Sequence, residues 1–379
     1  MKPQSYSKIF DKVPGTIIHH VPAQTKNFVG CPSILKIDKD RYLASHSYFG
    51  KGSTYSETFI YESNDRGETW DYIKNIKNQI WSKIFNLNGV LYILGTDHCD
   101  NNLGRLNGKI FIRKSTDSGM TWSEVEGENT GLLTDGEGYH TAPTSVLVYN
   151  NRIWKAFEYA PEPDRKSWES FVISASTDAD LLRRDSWTFS NSIKSWENYQ
   201  WIEGNVVVDP KSRLVNILRT NLRTRSGGIG KEGFIEEDEP ASIVYINEDR
   251  KTLEHDERKD RVKFPGGGAK FVVKKDPNSE YYFSIVNPQD SNSYRNKLAL
   301  SASKDLLEWK IIKHLLNHKD PYKHAFQYID FEFDDEDIIF VSRTAFDDNS
   351  GGADNAHNAN YFTFHRINNF VKYAEENLV

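Results

Sequence analysis

The side chains with chemistry to offer are spread along all 379 residues. They are His46, His98, Tyr139, His140, Glu158, Tyr159, Glu203, Asn205, Arg219, Lys270, Asn287, Gln327, Tyr328 and Arg343. Gathered over one depression they would suit an anionic sugar, because guanidinium and ammonium groups pair with a carboxylate or sulfate while aromatic faces stack on pyranose rings. The carboxylates Glu158 and Glu203 would instead support a glycosidase mechanism, whose geometry depends on a separation that only a fold can set.

The elements that could gather them come from an internal repeat. Ser63, Asp65, Gly67, Thr69 and Trp70 form one S-x-D-x-G-x-T-W octamer, and Ser115, Asp117, Gly119, Thr121 and Trp122 form a second. Weaker copies stand at Ser176–Asp178 with Trp187, at Asn247–Asp249, and at Ser303–Asp305 with Trp309. The aspartates are about 52, 61, 71 and 56 residues apart, the spacing of propeller blades with loops of varying length. Asp and Ser bond backbone amides in a tight turn, Gly supplies positive φ and Trp fills the gap beside it, so the motif is a structural device that closes a hairpin.

Six pairs of apolar runs read as the inner strands of blades: PSILKI with RYLASHSYF, SKIFNL with VLYILGT, TSVLVY with RIWKAFEY, NVVVD with LVNILRT, KFVVKK with YYFSIV, and YIDFEF with DIIFVSRT. The expected fold is therefore an all-β propeller of six blades, with seven as the alternative. It forms one domain over residues 1–379, with the N-terminal TIIHH completing the last blade and removing the open edge. In such a ring the start of each first strand and the end of each second open onto one face, opposite the Asp turns. That rule collects the polar side chains named above around one central opening.

Composition agrees. Aromatics are 13% of residues against only 2 Met, which suits strands and sugar-stacking surfaces. A net charge of −6 with both signs interspersed offers no footprint for a phosphate backbone, so nucleic acid is not expected as a partner. No run approaches the roughly 18 apolar residues of a membrane span, and MKPQSYSKIF lacks a signal-peptide core. A closed ring needs no second copy to cover its edges, so a monomer is expected. Cys31 and Cys99 read as two free thiols unless the fold brings them together. His19 and His20 could reach the opening or pack at a strand edge. No cofactor is required, although Asp354, His357 and Asn358 in ADNAHNANYF could hold a structural cation such as calcium or simply order a loop.

The repeats resemble those of the sialidase superfamily of Asp-box (BNR) propellers. A sialidase of that fold holds its sugar carboxylate with three arginines, the first from an Arg-Ile-Pro segment opening the first inner strand. Here that segment is Gly30-Cys31-Pro32, which argues against sialidase activity. The segments IIHHVPA, GCPSI, LASHSYFG, GYHTAP, WIEGN, FPGGGAKF, FQYIDFEF, VSRTAFD and HNANYFTFHRINNF, covering nearly the whole chain, resemble propellers of polysaccharide-utilisation systems. These are related to enzymes that cleave rhamnose–glucuronate ends, described as rhamnosidases or lyases, and more distantly to ulvan lyases. The resemblance implies β-elimination at a uronate, with Arg219 neutralising the carboxylate, His98 and His140 beside it or acting as base, and Tyr159 as the other proton carrier. Exo-acting hydrolysis and non-catalytic glycan binding are the alternatives. The resemblance also implies export to the periplasm or beyond, with the leader absent from this chain; a cytoplasmic location is the other option.

Overall fold

A computed structural model describes residues 13–99, 108–160, 168–195, 199–222, 240–256, 260–288 and 295–378. Among them, six antiparallel sheets follow one another along the chain. Blade I runs Phe28–Val29 and Ser33–Lys36 along Tyr42–Phe49, then Glu57–Ser63 and Asp71–Lys77. Blade II is Ile80–Leu87, Val90–Thr96 and Ile110–Ser115. In blade III, Tyr139–His140 and Leu147–Tyr149 flank Arg152–Tyr159, followed by Glu169–Ser176 and Trp187–Phe189. Blade IV is built on Tyr199–Val208, Leu214–Leu222 and Pro240–Ile246, and blade V on Val273–Lys275, Tyr282–Val286, Lys297–Ser303 and Lys310–Asn317. Blade VI is Ala325–Asp334, Asp337–Ala345 and Tyr361–Ile367, and its fourth strand is the N-terminal Thr16–His20. Every apolar pair read from the sequence is an inner-strand pair, and the count is six rather than seven.

The repeated octamers do what their chemistry requires. Ser63 Oγ donates to Asp65 Oδ1 at 2.7 Å and accepts from the Gly67 amide at 2.8 Å, while Asp65 Oδ1 accepts from the Thr69 amide at 2.9 Å. Gly67 has φ +92°, and a Cβ there would lie 2.2 Å from the Phe364 ring, so both backbone and space demand glycine. Trp70 then packs on Phe364 of blade VI, ring centroids 5.4 Å apart. The turn thus joins the third and fourth strands of blade I and wedges them against the neighbouring blade. Ser115–Trp122 repeats the geometry, and in Ser303–Trp309 Leu306 takes the positive-φ position at 70°.

Each sheet buries both faces, so its strands read as near-continuous apolar runs, and clusters such as Val29, Ile34, Tyr42, Ile339, Val341 and Phe362 fill the gaps between blades. The ring's axis is polar instead. Lys83 Nζ donates to Ile34 O at 2.9 Å, to Asp330 Oδ2 at 2.6 Å and to Glu332 Oε1 at 2.9 Å, tying blades I, II and VI together.

The innermost strands of blades II, IV and VI carry the same defect. Their register slips between Ile80 and Lys83, between Ile202 and Asn205, and between Gln327 and Asp330. Inside each slip one non-glycine residue is left-handed: Trp81 at φ 52°, Glu203 at 57° and Tyr328 at 56°. Such a conformation costs about 1–3 kcal/mol per residue and re-aims the side chain out of the strand's alternation.

Candidate functional site

Two of those re-aimed side chains meet Arg219, near the end of the second strand of blade IV. Arg219 Nη1 donates to Glu203 Oε2 at 2.8 Å, and its Nε donates to Gly268 O at 2.9 Å. Burial opposes ionisation of the Glu203 carboxyl, but the charge and hydrogen bond of Arg219 hold it below the ordinary carboxylate range. The Tyr328 side chain interacts with both Arg219 and Arg295. Arg343 is sandwiched between the rings of Phe49 and Tyr328, 4.5 Å from each centroid, and donates to His357 O. Arg295 lies 5.3 Å from the Tyr328 centroid and donates to Gln327 Oε1 at 2.7 Å.

Three guanidinium groups therefore surround one phenol, and among the described residues the carboxylate paired with them is Glu203 alone. Burial, offset in part by Tyr328 and reinforced by Arg295, pushes Arg343 down to about 10. Its Nε–H is buried with no partner. Among the described residues the cluster holds more positive than negative charge, and a buried idle donor is costly unless a ligand satisfies it. Cys31 belongs to the same neighbourhood: burial, then Glu203, pushes its thiol up to about 12, against the influence of Arg343, Lys270 and Arg219. Cys31 and Cys99 are both free thiols.

Beside this cluster stands His140. Its Nδ1 is 2.8 Å from Glu158 Oε2, and Glu158 Oε1 accepts the Gly204 amide at 3.3 Å. A carboxylate that accepts at Nδ1 fixes the ring and leaves Nε2 to exchange a proton. The imidazole sits between Trp81, 4.5 Å away, and Trp168, 5.1 Å away.

The structure thus brings together His140, Glu158, Glu203, Arg219, Gln327, Tyr328 and Arg343. Tyr139, Tyr159, His46 and His98 are elsewhere, the two tyrosines for reasons of pleat. Tyr139 and Tyr159 precede or follow His140 and Glu158 by one residue, so they face the opposite side of their sheet. They pack on each other at 5.0 Å over the core between blades II and III. His46 is fully buried, stacked with His19 and Phe59, and burial followed by His19 pushes it down to about 3. His19 itself bonds Tyr48, and His20 bonds Asp348 at 2.8 Å. His98 pairs with Asp97 at 2.9 Å, and no described contact joins it to His140 or Arg219.

Three further candidates brace backbone rather than face a ligand. Asn205 donates to Phe271 O and accepts from the Val273 amide, Asn287 donates to Phe326 O and Lys297 O, and Lys270 donates to Pro143 O and Ile329 O across the axis. In the Asp354–Asn358 loop, Asp354 accepts from Asn358 Nδ2 at 2.8 Å and from Lys26 at 3.3 Å, and Asn355 accepts two amides. These bonds tie the loop's side chains to one another and to Lys26. No group of three or more His, Cys, Asp or Glu among the described residues could hold a metal.

Arg295, Trp168 and Trp81 were missed by the sequence rule. Arg295 and Trp168 stand just before third strands, Lys297–Ser303 and Glu169–Ser176, whose starts open onto the same face as the ends of second strands. Extending the rule to third strands would have found both. Trp81 depends on a bulge, which leaves no mark in the sequence.

A cavity of about 540 Å³ lies off the axis, lined by Leu133, Tyr139, Arg183, Arg184 and Trp187. Its arginines are already paired, Arg183 with Asp185 and Arg184 with Asp135, so the axial cluster is the better candidate.

No protein-family model matches the chain, and no curated protein matches it in sequence. Solved structures do share its fold. An α-L-arabinanase of Penicillium chrysogenum, complexed with arabinobiose, superposes with a TM-score of 0.56 at 14% identity, over 94% of this chain and 98% of its own. A protein of unknown function from Dyadobacter fermentans gives 0.59 at 14%, over 94% and 100%. The Trypanosoma rangeli sialidase gives 0.60 at 12%, over 92% of this chain and 56% of the sialidase. At these identities the likeness is one of architecture: the chain is a six-bladed propeller of the kind those glycosidases use.

Proposed function

We propose that the chain is a carbohydrate-active enzyme that breaks a glycosidic bond at an acidic sugar, whose carboxylate docks on Arg343, Arg295 and Arg219. The observation that carries this reading is the trio of guanidinium groups around Tyr328, with Glu203 the one carboxylate paired to them among the described residues. Both carboxylates of the site are committed, Glu203 to Arg219 and Glu158 to His140, and both are buried. A mechanism with two free carboxylates therefore fits poorly, and the proton carrier is His140.

β-Elimination at a uronate uses these groups most directly. Guanidinium groups neutralise the C5 carboxylate and make the C5 proton acidic; a base removes it, the C4–O bond breaks, a C4=C5 double bond forms, and the departing oxygen takes a proton. His140 serves one of these transfers and the Tyr328 phenol, beside Arg219 and Arg295, the other. A rhamnose- and glucuronate-containing glycan is the substrate we favour. Hydrolysis is the second reading, supported by the shared architecture with an arabinanase and a sialidase, and by a tyrosine set beside Arg219 where it could face an anomeric carbon.

Uronate glycans, gum arabic and ulvan among them, should be incubated with the protein while near-ultraviolet absorbance and reducing sugar are both followed. Elimination raises both, and hydrolysis raises reducing sugar alone. If neither changes, while glucuronate still raises the melting temperature, the propeller is a glycan-binding module. If glucuronate has no effect either, the acidic-sugar reading is wrong.

A further inference from the structure

The third left-handed bulge has no part in the chemistry above. Glu203 and Tyr328 use theirs to reach the guanidinium cluster, whereas Trp81, in the equivalent place in blade II, delivers an uncharged ring. An aromatic needed only for packing would gain nothing from a φ of 52°, which costs about 1–3 kcal/mol without glycine. The Trp81 ring packs on the cluster containing Ile80, Trp168 and Ile202, remains half-buried, and meets the His140 ring at 4.5 Å and 60°.

His140 touches Trp81 on one side, and on the other Glu158 ties it to the Gly204 amide beside Glu203. A bond whose proton His140 handles therefore has the acidic ring on the guanidinium side. Its neighbouring ring falls on the Trp81 side. We propose that Trp81 is the stacking platform for the sugar across the scissile bond from the acidic one, so that the substrate is at least a disaccharide with an uncharged ring next to the acid. An indole face suits the apolar C–H face of a pyranose, and no charged group is needed there. This rests on the acidic-sugar reading of the same site.

The test is calorimetric titration of the wild type, Trp81→Ala and Trp81→Phe with glucuronic acid and with the disaccharide rhamnosyl-1,4-glucuronate. Thermal melting confirms that each variant is folded. Trp81→Ala is expected to bind glucuronic acid as the wild type does and the disaccharide about tenfold more weakly, with Trp81→Phe recovering most of the loss. Equal affinities in wild type and Trp81→Ala for both sugars, or equal losses for both, would overturn the platform while leaving the acid site standing. If Trp81→Ala does not fold, Trp81→Phe and Trp81→Leu decide: the platform requires the disaccharide to bind Phe better than Leu, and equality overturns it. A wild type that binds neither sugar removes both readings together.

Discussion

Glu203→Gln isolates the one carboxylate among the guanidinium groups. Glu203 and Arg219 have side chains only 3% and 4% exposed, so solvent screens their attraction little. Breaking such a buried pair from one side costs about 3–5 kcal/mol. An unfolding entropy of about 2.1 cal/mol/K per residue, over 379 residues, amounts to about 0.8 kcal/mol/K, which converts that loss to a fall in Tm of about 4–6 °C at neutral pH.

The pH dependence of this loss has a definite sign. Against the cost of burial, Arg219 keeps the Glu203 carboxyl below its unfolded value of 4.5, so its contribution is complete above about pH 4.5 and disappears as pH falls through the folded value. Glutamine carries no such proton. The Tm gap between wild type and variant should therefore be widest at pH 7 and close progressively below pH 4.5, read by differential scanning calorimetry at matched ionic strength. Other acid-sensitive groups are common to both proteins and cancel in the difference. Sulfate should return part of the lost stability by standing in for the missing charge. A variant as stable as wild type at pH 7, or a gap unchanged at pH 3.5, would refute the view that this pair holds the cluster together.

The remaining predictions concern turnover, binding and acid stability. His140→Ala should lower kcat by about 10²–10⁴ on whichever uronate glycan is cleaved, and Glu158→Gln, which leaves the imidazole unanchored, should lower it less; unaltered kcat in both removes His140 from the reaction. Arg343→Ala should weaken glucuronate binding about 10–100-fold by calorimetry, and Arg343→Lys should not restore it, because an ammonium cannot lie flat between Phe49 and Tyr328. Buried His46 and His365 are each pushed by burial to about 3, so the unfolded chain takes up their protons first. Stability should fall as pH drops from about 6.5 towards 3, by up to about 1.4 kcal/mol per pH unit for each, and His46→Phe should flatten the slope of Tm against pH.

The fold was legible because its signals are local and repeated. Ser63–Trp70 and Ser115–Trp122 fix their turns through their own side chains, and both-face burial makes the inner strands unbroken apolar runs. The site was legible only so far as strand direction fixes it. His140, Glu203, Arg219, Tyr328 and Arg343 end or begin the expected strands and do meet. His46 and Tyr159 lie equally near strand ends, but the alternation of a pleated strand turns them into the gaps between blades, and the list of ends carried no information on side. Asn205 and Lys270 illustrate another limit: a polar residue at the axis can be occupied entirely by neighbouring carbonyls and amides. Nor does a bulge such as that at Trp81 follow from composition, since any residue can be forced into it by the strands on either side.

Pairing Thr16–His20 with Tyr361–Ile367 has a consequence for how the molecule is made. On the ribosome the first of these segments emerges hundreds of residues before its partner and must wait unpaired while five blades assemble. Until residues near 367 leave the exit tunnel, blade VI lacks the third strand on which Thr16–His20 must pair, and its second strand offers an edge to other nascent chains. Chaperone demand should therefore stay at its peak until Tyr361–Ile367 has emerged, and a translational stall between residues 345 and 361 should leave an aggregation-prone five-bladed arc.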